Sequence, residues 1–141
     1  MVARTISNST HTQPQIVTRV FGSPVNKTGD GDDISKAINW AANTNTWAWI
    51  PNSLSQTALI TELLSNGPVI ASIRWTNGSG GHAIVVYGFQ RASNGTVHFL
   101  VRDPGPTNQG ASFSVTYNEL VNWKPPGSGQ GLWFRTIQRL I

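Results

Sequence analysis

The chain has 141 residues, ten Lys and Arg against six Asp and Glu, and a formal net charge of +4. That length suits one domain. There is no cysteine, which excludes disulfides, thiolate metal sites and a thiol nucleophile within these residues. Charged residues are 11% of the chain and hydrophobic ones 38%, and its Trp and β-branched residues supply the apolar surface of a packed core.

The pI of about 10.1 reflects few charges rather than a basic patch. Arg4, Arg19, Lys27, Lys36, Arg74, Arg91, Arg102, Lys124, Arg135 and Arg139 are scattered, so no nucleic-acid partner is expected. No apolar run reaches the roughly 18 residues that span a membrane, and no membrane partner is expected. The N-terminus has no apolar stretch of signal-peptide length. Two locations stay open: cytoplasmic, or secreted with a targeting segment upstream.

In chain order, residues 1–7 read as the last turns of a helix without a beginning. Thr12 and Gln15 form a capping box with Pro14 in the first turn. Ile16, Val17 and Val20 give that helix an apolar face, and Gly22 with Pro24 ends it. Asp32 is expected to cap a second helix through Ala42, with Ile34, Ala37, Ile38 and Ala41 on one face. Thr46 to Ile50 reads as a short strand stopped by Pro51. Ser53 and Gln56 suggest a capping box for a helix carrying Leu59, Ile60, Leu63 and Leu64, closed by Gly67-Pro68.

After Pro68 the period becomes strand-like. Val69 to Trp75, His82 to Phe89, Thr96 to Arg102 and Ala111 to Val115 are expected strands. Asn77 to Gly81 and Ser93-Asn94-Gly95 are turns between them. Tyr117 to Asn122 reads as a short helix and Gly131 to Gln138 as a final strand. The expectation is one α+β domain over 1–141: helical to about residue 66, then an antiparallel sheet over about 67–141.

A histidine, His82, opens a strand directly after a glycine loop, and a carboxylate, Asp103, ends the next strand. In an antiparallel pair the start of one strand lies beside the end of the next. The two positions place the turn centre near 92–93, close to Ser93-Asn94-Gly95. His82 and Asp103 are therefore expected neighbours. A carboxylate beside an imidazole fixes its tautomer and supports its cation.

The series Gly67-Pro68-Val69, Gly81-His82-Ala83, Gly88-Phe89 and Asp103-Pro104 resembles the second half of papain-like cysteine peptidases. It is most similar to their bacterial branch of effector and leader-processing peptidases. Thr12-Gln13-Pro14-Gln15-Ile16-Val17 and Val20-Phe21-Gly22 match that branch too. There, such a segment follows the helix bearing the nucleophilic Cys.

The resemblance implies a papain-like α+β fold and a hydrolase that cuts peptide bonds with a Cys-His-Asp triad. His82 would be its general base and Asp103 the orienting acid. It implies a peptide or protein substrate and no cofactor. The family's Cys, and the Gln that helps form its oxyanion hole, have no counterpart here. If residues 1–7 end the first helix, the Cys would lie about two helical turns before Met1. The expected form is thus a truncated peptidase domain, inactive alone, completed by a missing N-terminal segment or self-associating through the exposed face. Gly80 and Gly81 are expected along the substrate cleft. Pro104-Gly105 stands where many relatives place a Trp over the His–Asp pair, and Trp123 is a candidate substitute.

Plainer readings stand beside these. His82 could be a core or turn histidine, and Asp103 before Pro104 could simply start a turn. His98 alternates onto the solvent side of a strand, and His11 precedes a helix at the surface. Three histidines this far apart have no metal-ligand spacing, so no metal is expected. Trp47 and Trp49 share a strand face and read as core. A peptide-binding pseudoenzyme, or one half of a two-chain assembly, would fit the same residues.

Overall fold

Each helix begins where a short polar side chain can take up a free backbone N–H. The computed structural model describes residues 10–25, 27, 29–78, 80–105, 110–124 and 129–140. The expected helix tail at 1–7 lies outside them. Thr12 opens α1 (Gln13–Phe21) through its box with Gln15. The cap of α2 (Gly31–Ala42) is Asp30, not Asp32, because Asp30 and Asp33 accept from each other's backbone N–H. Asp32 instead accepts from Nε1 of Trp49 at 2.7 Å, which ties the helix to β1 (Trp47–Ile50). Ser55, not Ser53, caps α3 (Gln56–Ser65) by accepting from the N–H of Ala58. An alanine at that third position has no side chain to return the bond, so the expected box is absent.

Then follow β2 (Val69–Trp75), β3 (Gly81–Arg91), β4 (Val97–Asp103), β5 (Ala111–Thr116), α4 (Tyr117–Val121) and β6 (Gly131–Arg139). The six strands form one antiparallel sheet in the order β1-β6-β2-β3-β4-β5. The sheet therefore reaches back into the half expected to be helical. β6, last in sequence, lies between β1 and β2.

Side chains alternate across the sheet. Val69, Ala71 and Ile73 join Ile84, Val86, Phe99 and Val101 on one face, under Leu59 of α3, Leu120 of α4, and Trp123. Ile70, Ile137 and Trp47 face the other way and pack on Ile38 of α2. With both faces covered, β2 is buried over its first five residues, and each such aliphatic side chain contributes about 1.5–3 kcal/mol by leaving water.

The β3–β4 turn is centred on Asn94, since Arg91 pairs with Val97, rather than near 92–93. A register shift between Val86 and Gly88 adds a residue to β3 and moves the pairing. Val85 then faces Arg102, and His82 reaches Asp103 diagonally on the first sheet face rather than squarely.

Candidate active site

Two glycines deliver His82 to the head of β3. Gly80 has φ +72°, a left-handed conformation that side chains with a Cβ rarely adopt. A Cβ on Gly81 would stand 2.9 Å from the carbonyl oxygen of Ile73. His82 itself pairs with Ile73 across β2.

Nε2 of His82 lies 2.5 Å from Oδ1 of Asp103. The histidine side chain is 22% exposed and the carboxylate 7%, so the pair sits at the edge of the core with the ring open to solvent. An ionised carboxylate only accepts; Nε2–H is then the donor, and Nδ1 is left as the basic nitrogen. Asp103 Oδ1 also accepts from the backbone N–H of Gly105 at 2.9 Å. The turn reading of Asp103-Pro104 fits the geometry: one carboxylate oxygen closes an Asx-type turn and also meets the histidine.

The ring that covers His82 is Trp75, stacked at 5.5 Å between centroids and 21° between planes. Trp75 lies on β2 two residues beyond Ile73, on the face His82 shares. Trp123 does not take this part. It is 2% exposed and packs edge-on against Phe113 at 5.5 Å, so it belongs to the core rather than to a cleft wall.

A groove of about 540 Å³ runs from His82 between the start of α2 and the sheet. Gly80 and Gly81 line it, together with Asp30, Ser72, Arg74, Phe134 and Arg135. None of the last five was singled out from the sequence as a site residue. Their only sequence signal is that Ser72 and Arg74 interrupt the apolar run of β2. The other two histidines lie elsewhere. His11, half-buried, stacks on Trp40 at 4.0 Å, and His98 is half-buried on β4 between Gln90 and Thr116.

The arrangement can hold an imidazole in one tautomer and use its free nitrogen as a base. It contains no nucleophilic thiol. Among known proteins, the family described as papain-like cysteine protease AvrRpt2 matches residues 1–121, which takes in every element through α4. No curated protein matches the chain.

Proposed function

We propose, given that the chain belongs to the papain-like cysteine protease AvrRpt2 family, that His82 and Asp103 are the general base and orienting acid of a peptide-bond hydrolase. The observation that carries this reading is the 2.5 Å contact between Nε2 and Oδ1, which leaves Nδ1 to take a proton from a nucleophile. Trp75 keeps water from one side of the imidazole, and an imidazole–carboxylate bond is stronger where water is excluded.

The chemistry needs a thiol, and these residues have none. The Cys nucleophile of the triad therefore comes from outside the 141 residues, on an N-terminal segment or on a second chain. Nδ1 of His82 would deprotonate it, the thiolate would attack the substrate carbonyl, and the imidazolium would protonate the leaving amine. Peptides or proteins are the substrate class, and no cofactor takes part.

Fusing a family segment that bears the Cys and its preceding Gln to the N-terminus should produce peptide turnover. His82→Ala should then lower kcat by about 10²- to 10⁴-fold, the range of a positioned general base, and Asp103→Ala by less. Turnover indifferent to His82→Ala would overturn the assignment. The absence of cysteine favours a second reading, a pseudoenzyme that holds a peptide without cutting it. Peptide binding by the chain, with no turnover in any fusion, would select that reading.

A further inference from the structure

Away from His82, the groove is lined by two arginines, Arg74 and Arg135, with the Asp30 carboxylate close enough for the charge of Arg135 to act on it. Arg74 and Arg135 both stack on Phe134, with guanidinium carbons 4.3 and 4.9 Å from its ring centre. Arg135 also covers Trp49 at 4.7 Å. Stacking of this kind fixes the plane of a guanidinium and leaves its N–H edge for a ligand. Among the described residues neither arginine has a carboxylate within salt-bridge distance.

The second observation is independent of the charges. Ser72 is 6% exposed and its Oγ has no hydrogen-bond partner, and Nε of Arg135 is likewise buried and unpartnered. Buried polar atoms in folded proteins are nearly always satisfied. Ser72 and Arg135 are direct cross-strand partners, next to the register shift between β2 and β6, and both line the groove. The one carboxylate on its wall, Asp30, uses Oδ1 to accept from the Asp33 N–H.

We infer that this end of the groove is a subsite for the carboxylate of an acidic side chain, bound by Arg135, Ser72 and Arg74. Three donors line this one groove; two of them are cationic and favour an anionic acceptor, and a planar carboxylate matches the guanidinium fork. The substrate class follows only if the peptidase reading holds: the peptide presented to His82 then carries an Asp or Glu that seats beside Arg135.

Binding needs no nucleophile, so it can be measured on the 141-residue chain and can fail or succeed independently of turnover. The probes are two blocked peptides, acetyl-Gly-Ala-Glu-Ala-Gly-amide and its Gln counterpart, followed through the Nε–H resonance of Arg135 by NMR. The Glu peptide should bind about tenfold more tightly than the Gln peptide, the ratio expected for one set of charge-assisted bonds. Arg135→Gln should abolish the difference. Should that variant fail to fold because it loses its stacking on Trp49, Ser72→Ala and Arg74→Gln decide. Ser72→Ala should reduce the preference with no drop in Tm, since it removes a hydroxyl that has no partner in the free protein. Equal binding of the two peptides would overturn the inference and mean that the donors serve backbone carbonyls of another segment. Binding of neither peptide, or a preference that survives both Ser72→Ala and Arg74→Gln, would also overturn it.

Discussion

At the scale of single residues, the His82–Asp103 contact and the Trp75 ring over it make a local prediction. The imidazole Nε2–H, held by a carboxylate and half-sheltered by an indole, should give a slowly exchanging downfield proton signal. Asp103→Ala should remove that signal, and Trp75→Ala should leave it but broaden it by faster exchange with water. A signal unchanged in Asp103→Ala would mean that the two groups are not bonded in solution. The histidine and the aspartate are legible in the sequence because a strand start and the next strand's end must meet in a hairpin. Neither the turn centre at Asn94 nor the bulge near Tyr87 is legible: the turn makes the pairing diagonal, and the bulge brings Asp103 onto the face of His82. Trp75 is not legible either. Its approach to His82 depends on the register of β2 against β3, which the Gly-rich turn sets and no residue pattern states. Trp123, the aromatic expected there, is drawn instead into the core by Phe113 and Leu120.

At the scale of elements, the start of α2 is the point where helix, sheet and groove meet. A Cβ on Gly31 would stand 2.6 Å from Cγ of Trp49 and 2.9 Å from Cδ of Arg135. Gly31→Ala should therefore destabilise the fold by about 1–3 kcal/mol, the usual cost of overpacking, measured by urea unfolding; an unchanged midpoint would contradict this packing. The cap beside it adds a pH effect. The Asp30 carboxyl is held below its ordinary value of 3.8 chiefly by the backbone N–H of Asp33, against the desolvation that raises it. A lowered folded value means that the stabilisation is fully present above the ordinary value and is lost as pH falls through the folded one. Asp30→Asn keeps a capping oxygen but cannot titrate, so its Tm should fall less than the wild type's between pH about 5 and 2. The helix cores are legible from their apolar spacing. The caps of α2 and α3 are displaced by two positions because Asp30 and Asp32, or Ser53 and Ser55, are chemically equivalent choices, and only Trp49 on a distant strand decides what Asp32 does.

At the scale of the whole molecule, the order β1-β6-β2 makes the last strand a central one. Ile137 is 0% exposed and pairs with Trp49 on one side and Ile70 on the other. Ile137→Ala should cost about 2–5 kcal/mol and loosen β1, α2 and the groove together; protection from hydrogen exchange in β1 should fall with it. A loss confined to β6 would show that the strands are not coupled. The α+β class and the five strands β2 to β6 are legible from the change of period at Pro68. The return of β1 into the sheet is not, because a four-residue strand flanked by helices carries no sign of its partner.

The assignment of His82 as the base for a thiol supplied from elsewhere is tested most directly by the alkylation rate of that thiol against pH. In the fusion carrying the Cys segment, iodoacetamide should label the cysteine rapidly well below the free-thiol pKa of about 8.5, because His82 takes the thiol proton and the imidazolium stabilises the thiolate. His82→Ala should return the profile to that of a free cysteine. An identical profile in His82→Ala, with the fold intact, would contradict the role given to His82.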